Sequence, residues 1–204
     1  MPEITSIVPQ VKDKNRYSIF IDGRFYCGLT LEAAVKYHLK VGMAVDKQLL
    51  DNIQLETDKN TAMDKALTHL SATRKTQKQI TDFLNKKGYT QAVCDYVIEK
   101  LRYYGFVDDL AYCRAYVAEC NGKGKRLIEA DLMRRGANKE DIAAVLAEVE
   151  EDESEARAIA EKYLRGKEFT KENIYKAFKY LLSRGYGYDT AKAALDGLGE
   201  DEWK

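Results

Sequence analysis

Proline is almost absent: Pro2 and Pro9 are the only two, both before residue 10, so nothing later forces a helix to break. Long apolar runs are missing as well. No window approaches the roughly 20 unbroken apolar residues that a bilayer span needs, and the opening MPEITSIVPQ lacks the basic-then-apolar layout of a signal peptide. A soluble, cytoplasmic protein without membrane contact is expected. Cys27, Cys94, Cys113 and Cys120 include no C-x-x-C pair, and a chain of 204 residues can build a core without disulfide staples. Only His38 and His69 stand beside them, neither at ligand spacing, so no metal site is expected. Net charge is lacking too, with 33 basic residues against 33 acidic, which argues against a protein held on nucleic acid by an overall positive field.

Charge itself is plentiful and unevenly sorted. Residues 61–108 carry eight basic against five acidic side chains, and residues 109–152 carry seven against ten. Within the second stretch, positions 121–135 hold Lys123, Lys125, Arg126, Arg134 and Arg135, while positions 140–155 hold eight acids and no base. Such runs belong either to a two-signed binding face or to solvated helix surface.

Three glycines, Gly88, Gly136 and Gly185, each follow a basic residue at intervals of 48 and 49, ending the segments DFLNKKG, ADLMRRG and KYLLSRG. Four residues before each stands Leu84, Leu132 or Leu181, and eight before stands Ile80, Ile128 or Ala177, which share one helical face. The glycine then suits a left-handed C-terminal cap. Two residues later Thr90, Asn138 and Gly187 suit the next N-cap. Cys94, Val97, Ile98 and Leu101 predict an amphipathic helix that recurs as Ile142, Val145, Leu146 and Val149, then as Ala191, Ala194, Leu195 and Leu198. Upstream, Met63, Ala111 and Ala160 mark one equivalent position of a further helix, and Leu67, Ala115 and Leu164 another. The expected fold is therefore mainly α: three tandem three-helix repeats over 61–108, 109–152 and 153–204, forming an elongated curved array in preference to a compact bundle.

A small α+β module over 1–56 precedes them. Tyr17, Ile19 and Ile21 alternate, Asp22-Gly23 is a hairpin turn pair, Phe25-Tyr26-Cys27 returns, and Ile4–Val11 supplies a third strand. Thr30 is expected to cap a helix bearing Leu31, Val35 and Leu39, and Asp46 one bearing Leu49, Leu50 and Ile53. Residues 56–60, ETDKN, are expected to be a polar linker.

Catalytic candidates are few. Asp108-Asp109 offers adjacent carboxylates, but Asp108 falls where a helix begins, after Gly105 has ended the previous one, and an acid there serves as a cap. The stretch Asn121-Gly122-Lys123-Gly124-Lys125-Arg126 is glycine-rich and basic without the order of a nucleotide-binding P-loop. It is either a contact to a nucleic-acid backbone or acidic protein, or a flexible inter-helix loop. Lys100-Leu101-Arg102-Tyr103-Tyr104 and Lys176-Ala177-Phe178-Lys179-Tyr180 interleave bases with aromatics, fitting either a single-strand surface or core-edge packing. Cys113 and Cys120, seven apart, share a helical face and belong to a core or a dimer seam.

Taken in order, MDKALTHLSATRKTQKQITDFLNKKGY, LRYYGFVDDLAYCRAYV and GKGKRLIEADLMRRGANKEDI resemble the RecX regulatory proteins of bacteria over residues 61–198. The first residues, ITSIVPQVKDKNRYSIFIDGRFYCGL, are similar to the extra β module of that family's longer members. The resemblance implies a non-enzymatic modulator of the RecA recombinase, without a cofactor, lying on the RecA filament on single-stranded DNA and limiting its growth, ATP hydrolysis and strand exchange. The matching residues Arg74, Thr76, Leu84, Gly88, Gly105, Asp108, Asp109, Leu132 and Gly136 are implied to be mainly scaffold. Expected partner contacts are Lys123, Lys125, Arg126, Arg134 and Arg135, then Arg74, Lys75, Lys86 and Lys87, in a monomeric chain. A general DNA-binding helical module, a protein-only scaffold and a hydrolase using Asp108 and Asp109 are the rival readings.

Overall fold

The computed structural model describes residues 1–11, 13–196 and 198. They begin with an antiparallel sheet of order β1-β2-β3, comprising β1 (Ile4–Pro9), β2 (Arg16–Ile21) and β3 (Arg24–Thr30). Asp22 and Gly23 both take positive φ (49° and 77°), the turn geometry whose twist matches paired strands. Alternation sends Ile19, Ile21, Cys27 and Leu29 to one face, where they form a core with Ile4, Leu50 and Ile53.

Helix α1 (Leu31–Lys36) starts at Thr30, whose hydroxyl accepts from the Ala33 amide at 3.2 Å. It is shorter than the apolar spacing predicts. His38 turns the chain at φ 51°, so Leu39 reaches the core from outside the helix while Leu31 and Val35 stay exposed. Asp46 caps α2 (Lys47–Ala72), which runs unbroken for 26 residues. The expected linker over 56–60 is therefore helix. Its polar side chains have partners: Glu56 accepts from Lys36 Nζ at 2.8 Å and Tyr37 OH at 2.6 Å, and Asp58 pairs with Arg16 at 3.4 Å. No glycine or proline opposes the helix there, and polarity alone does not end one.

Eight further helices follow among the described residues: α3 (Gln77–Lys86), α4 (Gln91–Tyr103), α5 (Asp109–Glu119), α6 (Lys125–Arg135), α7 (Lys139–Ala147), α8 (Glu153–Leu164), α9 (Lys171–Ser183) and α10 (Tyr188–Ala193). The chain divides into two compact units, Met1–Thr73 with Ile80–Phe106, and Arg74–Gln79 with the chain from Val107 onward. In the first, α2 packs on β3 and α4. In the second, α5 and α6 pack on α7, and α8 and α9 on each other and on α10.

Ile80, Leu84, Ile128, Leu132, Ala177 and Leu181 are all buried, and Gly88, Gly136 and Gly185 all take positive φ after their helices. Thr90, Asn138 and Gly187 are the N-caps of α4, α7 and α10; of these, Asn138 makes a side-chain capping bond. The upstream helices hold a different register. Met63, Leu67, Ala111 and Ala115 are half-buried, whereas Ala62, Ala66, Tyr112 and Cys113 are buried, so only Ala160 and Leu164 sit as the spacing predicts. Small side chains let α2 approach its neighbours, and the loops between helices reset the count. Of residues 153–204, positions 197 and 199–204 lie outside the described residues.

Candidate partner-binding surface

The basic, glycine-rich stretch is tied down through its backbone. Four of its amides donate within the second unit. Gly122 N–H donates to Glu155 Oε1 at 2.8 Å, Gly124 N–H to the Arg184 carbonyl at 3.0 Å, Lys125 N–H to Glu151 Oε1 at 2.9 Å, and Arg126 N–H to the Gly185 carbonyl at 3.1 Å. The same two carboxylates reach the chain after α9, where Gly187 N–H donates to Glu151 Oε2 at 2.8 Å and Tyr186 OH to Glu155 Oε2 at 2.9 Å. Burial pushes the Glu151 carboxyl up, and bonds from Gly187, Thr190 and Lys125 outweigh it, so the net shift is downward. Gly124 and Gly185 permit this approach. A Cβ on Gly124 would fall under 3.0 Å from backbone atoms of Gly185 and Tyr186.

An equivalent junction joins residues 74–79 to the end of α6. Thr76 Oγ1 donates to the Arg135 carbonyl at 2.6 Å, as Gly124 N–H does to Arg184, and Gln77 N–H donates to Asp109 Oδ1 at 2.9 Å, as Lys125 N–H does to Glu151. In each case the negative carbonyl end of one helix meets the positive amide end of another, with a carboxylate completing the cap. Asp108 caps its own helix, accepting from Ala111 N–H at 2.9 Å. The adjacent acids are thus divided between two helix starts.

Asp131 organises a second cluster. Buried on α6, it accepts from Lys123 Nζ at 2.6 Å and Tyr116 OH at 2.8 Å, and pairs with Arg134. The Lys123 ammonium, then the Tyr116 hydroxyl, hold its carboxyl below the usual carboxylate range. Arg135 lies 4.7 Å from the Tyr116 ring centroid and donates to Tyr112 OH at 3.1 Å. Of the two cations on Asp131, Lys123 is the more deeply held, its side chain 32% exposed against 77% for Arg134, and Lys125 contributes its amide to the junction. Arg126, Arg134 and Arg135 stand exposed on α6, Lys86 and Lys87 at the end of α3, and Arg74 before it, with Lys75 half-buried.

Comparison with known proteins places this arrangement. Family models described as "Regulatory protein RecX N-terminal domain" and "RecX, first three-helix domain" match residues 2–46 and 62–101. Proteins named regulatory protein RecX from Clostridium botulinum (strain Alaska E43 / Type E3) and Bacillus subtilis (strain 168) are each 30% identical, over 201 and 205 residues. The alignments cover 94% of this chain and 94% of the first, and 97% of this chain and 78% of the second. The chain belongs to the RecX regulatory protein family. Two crystal structures share the fold at 22% identity: one of regulatory protein RecX (TM-score 0.69, covering 96% of this chain and 100% of that one) and RecX from Lactobacillus salivarius (TM-score 0.65, covering 69% and 96%).

The RecX family is named for regulation, not for a reaction. Cys113, buried in the core of the second unit, has its thiol pushed up to about 11 by burial and then by Asp141 and Asp109; Cys120, the C-cap of α5, is half-buried and packs against the same core. Among the described residues, no group of three potential metal ligands converges and no helix is long and apolar enough to cross a membrane. Sequence reasoning missed Glu151 and Glu155 as the clamps on the basic stretch. The signal that pointed to them is the acid-only run over 140–155, opposite in sign to 121–126.

Proposed function

We propose that this RecX family chain binds the RecA recombinase filament on single-stranded DNA and restrains its growth, ATP hydrolysis and strand exchange during DNA repair, acting in the cytoplasm as a monomer. The observation that carries this reading is the recurrence of one helix-end junction at Thr76–Gln77 and at Gly124–Arg126. Helical repeats joined by a recurring linkage present similar surfaces more than once, and such repetition suits a polymeric partner better than a small substrate. The proposed division is a module over 1–56 followed by repeats over 61–108, 109–152 and 153–204.

Arg126, Arg134 and Arg135 lead the proposed contacts, with Arg74, Lys75, Lys86 and Lys87 second. Lys123 and Lys125 act mainly through the scaffold, Lys123 by its pair with Asp131 and Lys125 by its amide. A pull-down of the host's RecA with the full chain, with and without single-stranded DNA and ATP, tests the reading. Retention that requires DNA and ATP together supports it. Equal retention in every condition, or none, contradicts it.

A further inference from the structure

We infer that the C-terminal end of α4 is a stacking platform for single-stranded DNA. Three aromatic rings stand in water there: Tyr103 is 80% exposed, Tyr104 61% and Phe106 57%. The Tyr103 and Tyr104 centroids are 5.1 Å apart and meet edge to face, and Tyr104 and Phe106 are 6.4 Å apart.

The fold does not need these rings. The inward face of α4 is Val93, Cys94, Val97 and Leu101, and the turn after it is closed by the backbone bonds Tyr104 N–H to Lys100 O and Phe106 N–H to Leu101 O, with Gly105 at positive φ. Large apolar groups held in water without a packing role mark a surface that a partner covers.

Cations identify the partner. Tyr96, Lys100 and Tyr103 lie four and three residues apart on one face of α4. Lys59 Nζ sits 4.4 Å from the Tyr96 ring centroid and Lys100 Nζ 5.8 Å from it, while Arg102 is exposed beside Tyr103. Rings and cations therefore alternate along the helix. A single strand alternates flat apolar bases with anionic phosphates and engages both, whereas an apolar protein groove engages only the rings. Glu99 is exposed on the same turn and works against a phosphate. Binding here is to a naked strand and needs no recombinase, so it stands independently of the filament reading.

The test is an anisotropy titration of the full chain against a labelled oligothymidylate of about 16 nucleotides and an abasic strand of the same length. The wild-type chain should prefer the strand with bases by about tenfold or more. Tyr103→Ala with Tyr104→Ala should abolish that preference, the corresponding Phe pair should keep it, and Glu99→Lys should tighten both strands through added charge. The substituted rings are exposed, and circular dichroism verifies that each variant folds. Equal wild-type affinity for both strands, or an Ala pair that binds oligothymidylate as tightly as wild type, overturns the inference. An Ala pair that keeps DNA affinity but no longer retains RecA identifies a protein-docking surface and also overturns it. Loss of base preference in a chain that never retains RecA supports the platform and overturns only the filament reading.

Discussion

Adding one methyl group at Gly124 should damage the protein more than adding one at Gly88, although only Gly88 has an unusual backbone conformation. Gly124 has φ −72°, which alanine adopts freely, and Gly88 has φ +88°, which alanine resists. Space reverses the ranking. A Cβ at Gly88 meets nothing within 4 Å, so the cost is the left-handed conformation alone, about 1–2 kcal/mol. A Cβ at Gly124 lies under 3.0 Å from Gly185 and Tyr186 backbone atoms, which cannot rotate away as a side-chain tip would. Relief requires the two helix ends to part, stretching the bonds from Gly124 N–H to Arg184 O (3.0 Å) and from Arg126 N–H to Gly185 O (3.1 Å). Overpacking at about 1–3 kcal/mol and two hydrogen bonds at about 0.5–1.5 kcal/mol each give a loss of about 2–6 kcal/mol. Domains are stable by about 5–15 kcal/mol, so this is a large fraction. Equilibrium urea unfolding by far-UV circular dichroism measures both variants. A Gly88→Ala loss equal to or larger than that of Gly124→Ala would refute the close-approach argument.

Asp109→Ala should cost about 1–3 kcal/mol in the same assay by leaving the Gln77 amide without its acceptor, and Asp109→Asn, which retains an acceptor oxygen, should cost less. Asp131 and Glu151 have lowered carboxyl pKa values, so their stabilisation is complete above the ordinary carboxylate range near 4 and is lost as pH falls through the lowered values. An acid titration should therefore show falling stability below about pH 4, with a shallower acid limb for Glu151→Gln. Asp58→Pro should destabilise the first unit by about 3 kcal/mol or more, because position 58 lies inside α2; a thermal melt unchanged from wild type would restore the linker.

The second helices were legible because three signals coincide in them: apolar spacing of four, a basic residue just before a glycine, and the glycine itself. Ile80, Leu84, Gly88 and their counterparts all behave as that coincidence demands. The helices upstream were harder. Their buried faces use Ala62 and Ala66 as much as larger residues, so counting back from the glycines lands one position away. Polarity misled at Glu56–Asn60, where the charges are half-buried on a continuous helix and find Arg16, Lys36 and Tyr37 within the first unit. At the basic stretch, side-chain charge was visible but the fate of the amides was not, since Glu151 and Glu155 reach them only through tertiary folding. The ion pair of Lys123 was hidden for the same reason: its partner Asp131 was visible eight residues away, but nothing local showed that it would be buried.

The most direct measurement is DNA-dependent ATP hydrolysis by the host's RecA, preassembled on single-stranded DNA and titrated with the chain. The filament reading predicts progressive inhibition by the wild-type chain, weakened when Arg126, Arg134 and Arg135 are replaced together by Ala in a variant that still folds. Hydrolysis that continues at its uninhibited rate at saturating chain would contradict it.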